Sequence, residues 1–392
     1  MLFVSSPEQP GADTTIHALL MRNLDRSRFE VHVACPAGPP LARTAAYRSF
    51  STIPDIRIRP TDFGPPLKTR SRRDRVTNTL RFLGAAVSLI GLAWYVWRHR
   101  IEVLHSTDRA RDALSCVVLA RLTGARSVLH VHVAYGRWMS WATRWSLARA
   151  DALVAISDFV ARSLERNGLS LKRIRVVLNA IDAAAFDPPA DRAEARSRLR
   201  LAGEDLVVVC IARLFRWKGQ AELIRALPAV LREVPQTRLL IVGEDDLSAN
   251  PGGASFADEL RRLAIELGVA RRVTLTGHRT DIGHVLAASD VFAMPSFEEP
   301  FGLVYLEAMA MRIPVLALSS GGAPEIVDDG RSGFLSPVGD GNALAERLLA
   351  LLRDPDLRHR MGEYGRMQIE TRFTPRRLAD ETALVYAALA YA

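Results

Sequence analysis

Residues 289–311 read SDVFAMPSFEEPFGLVYLEAMAM, and this stretch predicts a strand, a turn and a helix in direct succession. The apolar run that is closed by Pro295 has strand character, and the residues after Gly302 have helix-forming composition. A glycine at the turn lets the backbone approach a ligand closely, and the first free N–H groups of the helix attract an anion. The segment therefore predicts an anion-binding turn at the carboxyl end of a strand.

Two glutamates, Glu299 and Glu307, flank this turn. We expect Glu299 on the loop and Glu307 about one to two turns into the helix. Carboxylates accept hydrogen bonds from sugar hydroxyls, so amides and two carboxylates together suit a ligand with phosphate and hydroxyl groups, such as a nucleotide-sugar. The simpler interpretation is that both acids stabilise a helix N-terminus, where negative charge is favoured anyway.

A second charged pair, Arg213 and Lys218, follows the strand-like run VVVCIA at 207–212. In open α/β sheets, ligands bind at the carboxyl ends of strands. An arginine fork and a lysine point charge in that position are suited to a diphosphate. This second pair favours an anion site over a purely structural role for the glutamates.

Apolar segments of strand length alternate with helical stretches along the whole chain. The strand-like segments are LFVS, FEVHVAC, IEVLHS, RSVLHVHV, ADALVAIS and IRVVLN in the first half, and LVVVCIA, TRLLIVG, RVTLTG, DVFAMP and IPVLAL in the second. This repetition predicts an α/β protein with two Rossmann-like, doubly wound domains that contain parallel sheets. The proline-containing segment AFDPPADRAEA predicts a linker, which divides the chain into domains at 1–187 and 188–374.

Composition agrees with a two-domain enzyme. The 392 residues are 48% apolar and 24% charged, which suits two cores of about 180 residues each. The three cysteines are scattered, so we expect neither a disulfide framework nor a zinc site, and a reducing cytosol is the simplest location. No signal-peptide pattern follows MLFVSS, and no Gly-x-Gly-x-x-Gly or Walker motif supports NAD or ATP.

These motifs resemble those of the retaining glycosyltransferases of family 4, which carry Arg and Lys after one strand and a Glu-x7-Glu element later. Two other segments resemble the family as well: VVLNAIDAAAFDP at 176–188, and GGAPEIVDDGRSGFL at 321–335. The resemblance implies the GT-B fold, in which two Rossmann-like domains face a central cleft and a C-terminal helix, here at 375–392, crosses back to the first domain. Its activity would be transfer from a UDP- or GDP-linked sugar to a glycan, lipid-linked or small-molecule hydroxyl.

The resemblance also implies roles for individual residues. Arg213 and Lys218 would stabilise the leaving diphosphate without a metal, Glu299 would bind the donor sugar, and Glu307 would bind the ribose. His132 would lie near the donor sugar. The remaining donor-site residues are in the turn: Pro300, Phe301, Gly302 and Leu303. Gly11 would lie on the acceptor side, where many members of the family have two adjacent glycines.

Other interpretations stay open at this point. A nucleotide-sugar epimerase or a noncatalytic nucleotide-sugar-binding protein shares the fold. His130 and His132 alternate on one strand face and resemble a metal pair, but no third ligand is spaced nearby. We therefore expect no metal or other cofactor, and we expect His130 to be packed and hydrogen-bonded in the core, whereas His105 is a weaker candidate for the cleft. We expect no nucleic-acid partner.

A basic segment at 68–81, with six basic residues against one acid, leads into a 16-residue apolar run at 82–97. That run is shorter than the ~20 residues that a membrane-spanning helix needs. Two interpretations remain, a buried helix or peripheral attachment to an anionic membrane surface in the cytoplasm.

Overall fold

The computed structural model describes residues 1–39, 43–64, 73–186, 191–245 and 255–390. The chain divides into two compact units, the first containing residues 1–179 and 375–392 and the second containing residues 180–374. The first unit thus ends at residue 179, whereas the sequence predicts a domain boundary after residue 187. The basic residues at 68–72 lie outside the described part of the chain.

The first unit is built on a seven-stranded parallel sheet with the order β3-β2-β1-β4-β5-β6-β7. The strands are β1 (Leu2–Val4), β2 (Val31–Cys35), β3 (Ile56–Pro60), β4 (Val103–Thr107), β5 (Arg126–Val131), β6 (Ala152–Ala155) and β7 (Ile174–Val176). Its strand order reverses between β1 and β4, which is the point where ligands bind in doubly wound sheets.

Helices connect these strands and cover the sheet. They are α1 (Ala12–Asn23), α2 (Ala45–Ser51), α3 (Arg73–Arg98), α4 (Ala110–Thr123), α5 (Trp141–Arg149) and α6 (Asp158–Arg166). The central strands β1, β2 and β4 are buried along their whole length, and the residues that they bury include the polar His32, His105 and Ser106.

The second unit has a six-stranded parallel sheet with the order β10-β9-β8-β11-β12-β13, and this order reverses between β8 and β11. The strands are β8 (Leu206–Ile211), β9 (Thr237–Val242), β10 (Val273–Gly277), β11 (Val291–Ala293), β12 (Val315–Leu318) and β13 (Gly333–Ser336). The helices are α7 (Arg192–Arg198), α8 (Gln220–Glu233), α9 (Phe256–Glu266), α10 (Ile282–Ala287), α11 (Leu303–Ala310), α12 (Gly341–Arg353) and α13 (Pro355–Thr371). The prediction of two Rossmann-like α/β domains is confirmed.

The last helix, α14 (Pro375–Ala390), returns to the first unit and packs against α1 and β6. Arg377 on this helix donates to the backbone oxygen of Leu178 at 2.7 Å, which ties the helix to the end of the first unit. The predicted return of the C-terminal helix is therefore confirmed.

Candidate active site

The charged residues of the second unit gather where its strand order reverses. Arg213 and Lys218 follow β8, and Glu299 follows β11, the neighbouring parallel strand. Because the carboxyl ends of parallel strands meet at one edge of a sheet, the two segments that the sequence singled out separately lie together.

Lys218 and Glu299 form a largely buried ion pair. Lys218 Nζ donates to Glu299 Oε2 at 2.5 Å, and the two side chains are only 14% and 9% exposed. Ser296 Oγ donates to the same oxygen at 3.0 Å. Within the described part of the chain, no donor is bonded to Oε1, so this oxygen keeps its lone pairs available to a sugar hydroxyl.

Two aromatic rings support the cations. Phe215 and Trp217 stack with their ring centroids 5.9 Å apart and an interplanar angle of 12°. The Arg213 guanidinium lies 4.9 Å from the Phe215 centroid, and the Lys218 ammonium lies 4.2 Å from the Trp217 centroid. Such cation–π contacts help to hold the two cationic groups in position at the ends of these strands.

Close backbone approach holds the two loops together. Gly219, with φ of +79°, separates a short 3₁₀ turn from α8, and a Cβ there would lie 2.2 Å from the Pro295 carbonyl oxygen. Phe297 N donates to the Trp217 carbonyl at 2.7 Å across the same contact. A side chain at position 219 would therefore push the lysine loop away from the glutamate loop.

The turn from Pro300 to Leu303 leads directly into α11. Gly302 has φ of +90°, and a Cβ there would lie 2.4 Å from the Tyr305 ring, so the helix start itself requires glycine. Phe301 is buried and packs edge-to-face on Phe373. The Phe301 ring therefore belongs to the core, and the backbone N–H groups of residues 301–303 are the groups of this turn that suit an anion.

Glu307 lies on α11 and is partly buried. Burial raises the pKa of Glu307 to about 7. None of the described residues makes a hydrogen bond or ion pair with its carboxyl group. A ligand hydroxyl could therefore supply the hydrogen-bond partner that the described residues do not give this carboxyl group.

The other two predicted site residues belong to the first unit. Gly11 precedes α1, beside a salt bridge in which Arg109 Nε donates to Asp13 Oδ2 and Arg109 Nη2 donates to Asp13 Oδ1 at 3.1 Å. His132 follows β5, and burial lowers its pKa to about 4 although the Asp13 carboxylate opposes the shift. His132 is therefore a neutral imidazole at pH 7.

Sequence reasoning missed the acidic groups at this edge of the first sheet. Asp112 accepts hydrogen bonds from Ser6 N at 2.9 Å and Thr107 Oγ1 at 3.1 Å, and burial raises its pKa to about 6. The run TDRARD at 107–112 contains Asp108 and Asp112 at the end of a strand, and this pattern could have identified the acidic groups.

Comparisons with known proteins agree with this architecture. The family model for "Glycosyl transferases group 1" matches residues 191–368, and the model for "Glycosyltransferase Family 4" matches residues 11–185. The solved structure of Anabaena HepE in complex with UDP and glucose is similar, with a TM-score of 0.78 and 23% identity over 99% of both chains. At that identity the likeness shows the fold alone.

Three curated relatives are more similar in sequence. A GDP-mannose-dependent alpha-(1-6)-phosphatidylinositol monomannoside mannosyltransferase of Mycolicibacterium smegmatis is 37% identical over 63% of this chain. Its monoacylated-substrate counterpart in Corynebacterium glutamicum is 33% identical over 65% of this chain, and a D-inositol 3-phosphate glycosyltransferase of Corynebacterium jeikeium is 38% identical over 55%. The matches span 66%, 68% and 52% of the lengths of these relatives, respectively.

Proposed function

Because the chain belongs to the family 4 glycosyltransferases, we propose that it transfers a hexose from a nucleoside-diphosphate sugar to an acceptor hydroxyl, with retention of anomeric configuration. One observation carries the proposal: Lys218 and Glu299 are in contact at the carboxyl ends of β8 and β11, the strands between which the sheet order reverses. The lysine ammonium suits a phosphate and the glutamate carboxylate suits sugar hydroxyls. One small site therefore suits both the diphosphate and the sugar of such a donor.

The main chemical requirement is to stabilise the leaving diphosphate. As the bond from the anomeric carbon to the phosphate oxygen breaks, negative charge grows on that oxygen. Arg213 and Lys218 are cations at the place where this charge appears, and removing one such group typically costs about 10²- to 10³-fold in turnover. Two fixed cations supply this stabilisation themselves, so the proposed reaction requires no divalent metal at the diphosphate.

The two carboxyl groups have separate roles in this proposal. Glu299 Oε1 accepts hydrogen bonds from donor sugar hydroxyls, while Oε2 holds the Lys218 ammonium in position. Glu307 binds the ribose hydroxyls, which give its carboxyl group the partner that the described protein groups do not provide. The backbone N–H groups of residues 301–303 add partial positive charge near the diphosphate.

Retention follows a front-face path in this proposal. The acceptor oxygen bonds to the anomeric carbon on the face from which the phosphate oxygen departs, and that phosphate oxygen takes the acceptor proton. His132, a neutral imidazole, hydrogen-bonds the donor sugar, and Gly11 lies on the acceptor side. This reaction path forms no covalent bond to the protein. The acceptor proton leaves with the phosphate, so no further reactant is needed.

The donor and acceptor classes come from the relatives. Two of them are named for GDP-mannose and for phosphatidylinositol-type acceptors, which supports a GDP- or UDP-linked hexose and a lipid-linked or glycan acceptor here. The epimerase and binding-protein alternatives find no support among these relatives, which are named as transferases.

One helix surface supports contact with a membrane that carries a lipid-linked acceptor. Leu83, Val87, Ile90, Trp94 and Trp97 on α3 are each between 60% and 70% exposed. Their spacing places them on one helix face. No helix in the described ranges is long and apolar enough to cross a membrane. We therefore propose peripheral attachment on the cytoplasmic side, through this apolar face and the basic segment that precedes it in sequence.

The decisive experiment combines binding and transfer. Thermal unfolding is measured with GDP, UDP, ADP and the matching nucleotide-sugars, and transfer is then followed by mass spectrometry on phosphatidylinositol and simple glycan acceptors. We expect one nucleoside diphosphate and its sugar to raise the unfolding temperature, because a ligand of the folded state stabilises it. A chain that none of these compounds stabilises would contradict the proposal.

Lysines provide a matched control, since the sequence has only three. Lys218→Met should abolish the stabilisation by the nucleotide. Lys172→Met, at an exposed position of the first unit, should preserve it.

A further inference from the structure

Three histidines from different elements meet in the core of the first unit. They are His17 on α1, His105 on β4 and His130 on β5, and each is at most 1% exposed. One ring nitrogen from each lies within 4.8 Å of those from the other two. The pairwise distances between ring centroids are 4.8 to 5.6 Å, so the rings form one compact cluster.

The ring nitrogens of this cluster are unusually poor in partners. Both nitrogens of His17, both of His130 and Nε2 of His105 are buried and have no hydrogen-bond partner among the described residues. The hydrogen bond predicted for His130 is thus absent from that part of the chain. A buried polar atom without a partner costs about 1–3 kcal/mol, so a ligand that engages several of them at once would be strongly stabilised.

The protonation state suits a cation. Burial, followed by the neighbouring imidazoles, lowers the pKa of His17 to about 3 and holds the pKa values of His105 and His130 well below their usual range. At pH 7 all three rings are neutral, so each has one nitrogen lone pair free for coordination.

A tyrosine on the C-terminal helix orients one of the rings. His105 Nδ1 lies 2.5 Å from the Tyr386 hydroxyl oxygen. When Nδ1 carries the proton and donates it to that oxygen, the lone pair of His105 lies on Nε2, the nitrogen without a partner. Metal-binding histidines usually have such a second hydrogen bond, which fixes the ring. Phe3 packs on both His17 and His105 and provides an apolar wall.

We propose that His17, His105 and His130 bind one divalent transition-metal ion inside the first unit, with Zn²⁺ as the best fit and a water molecule as its fourth ligand. Three imidazoles suit zinc and its neighbours, whereas Mg²⁺ and Ca²⁺ take oxygen ligands. Tetrahedral zinc with nitrogens at 2.0–2.1 Å holds those nitrogens about 3.3 Å apart, so the rings move closer together as the ion enters.

The three ligands are not among the residues proposed for the transfer chemistry, although the His132 ring packs on His130 with the centroids 4.4 Å apart. The site links α1, β4 and β5 and, through Tyr386, the returning helix α14, while the diphosphate-binding cations belong to the second unit. The inference departs from the sequence-based expectation that the chain holds no metal. The metal proposal is tested by metal content and stability, and the transferase proposal is tested by nucleotide binding and transfer. Either proposal can therefore fail while the other stands.

The first test is the metal content of the chain without an oligohistidine tag, produced in zinc-supplemented medium and desalted. We expect about one Zn²⁺ per chain, and loss of that ion in His17→Gln, His105→Gln and His130→Gln. The matched control is His32→Gln. His32 is also buried in the first unit, but its Nδ1 lies 2.8 Å from Tyr95 Oη, outside the cluster, so this variant should keep the metal.

A second test does not depend on the folding of the variants. The wild-type chain is refolded with Co²⁺, which gives intense visible absorption bands in a tetrahedral nitrogen site, and with Zn²⁺ to measure the unfolding temperature. We expect both the bands and a rise in that temperature. Metal-free protein from supplemented cells, together with refolded protein that shows neither effect, would overturn the proposal. Retention of the ion by His130→Gln would overturn it as well.

Discussion

Lys218 and Glu299 are 81 positions apart in sequence, yet their charged atoms lie 2.5 Å apart between the ends of two adjacent strands. The pair is largely shielded from water, and Trp217 contacts the lysine while Ser296 donates to the glutamate. In such surroundings each buried charge is stabilised mainly by its counter-ion. Removing one partner therefore affects stability as well as chemistry.

The first prediction concerns the lysine. Lys218→Met should lower turnover by about 10²- to 10³-fold, since one of the two cations that stabilise the leaving group is lost. It should also lower the free energy of unfolding, because Glu299 is left without its counter-ion. Steady-state kinetics and urea unfolding measure the two effects, with Lys172→Met as the control that changes neither.

The double variant separates these effects. Lys218→Met combined with Glu299→Gln removes both charges, so stability should recover while turnover stays low. Arg213→Ala should lower turnover on the same scale. Near-wild-type turnover in either single-cation variant would mean that the diphosphate binds elsewhere.

The second prediction separates the two carboxylates. Glu299→Gln keeps the size of the side chain but should weaken recognition of the sugar, whereas Glu307→Ala should mainly weaken binding of the nucleotide. Calorimetry with GDP or UDP, and then with the matching nucleotide-sugar, distinguishes these effects. Loss of nucleoside-diphosphate binding in Glu299→Gln, but not in Glu307→Ala, would reverse the two assignments.

The third prediction uses the pKa of Glu307, which burial raises from 4.5 to about 7. Between those pH values the folded chain binds more protons than the unfolded chain, so the free energy of unfolding falls as the pH rises. Glu307→Gln removes this loss. The variant should equal wild type at pH 4 and exceed its free energy of unfolding at pH 8 by about 1–3 kcal/mol.

Urea unfolding at the two pH values measures this difference. Glu266→Gln, at an exposed position of α9, is the matched control. Its free energy of unfolding should equal that of wild type at both pH values. A Glu307→Gln variant that is less stable than wild type at pH 8 would show that the carboxylate has a favourable partner in the folded chain.

The sequence predicted the strands with continuous apolar character but missed β3 and β13. Both lie at sheet edges, where one side of a strand has no neighbour. In IRIRP at β3, arginines alternate with isoleucines, and most of the strand is only partly buried, so it lacks the apolar run of a central strand.

Local spacing identified residues of the site but not their partners. Lys218 and Glu299 were each assigned from a strand-to-helix motif, yet their contact depends on β8 lying next to β11, which the order of strands along the chain does not reveal. The histidine cluster is similar. The alternation of His130 and His132 indicated a pair, while His17 and His105 come from a helix and another strand.

The fourth prediction is that transfer needs no divalent metal at the diphosphate, because Arg213 and Lys218 already supply two positive charges. Initial rates measured soon after addition of EDTA should equal those with Mg²⁺ or Mn²⁺. The short interval matters, since slow removal of zinc from the histidine site would act on stability. A rate that EDTA abolishes and Mg²⁺ or Mn²⁺ restores would show that a metal holds the diphosphate.

The fifth prediction is that the exposed face of α3 binds anionic membranes. Trp94→Ser with Trp97→Ser should reduce sedimentation with phosphatidylserine vesicles, because interfacial tryptophans and buried apolar area contribute to the binding. Ile265→Ser, at an equally exposed apolar position on α9 of the second unit, is the control that should sediment like wild type.

The basic segment adds an electrostatic contribution that can be measured separately. Each Lys or Arg near an anionic surface contributes about 1 kcal/mol, and salt screens it. Changing Arg70, Arg72, Arg73 and Arg75 to Gln should therefore weaken binding at low salt, and high salt should have the same effect on wild type. Neutral vesicles should bind neither protein. If wild type fails to bind anionic vesicles at low salt, the α3 face does not contact lipid, and a glycan or other water-soluble acceptor becomes the better candidate.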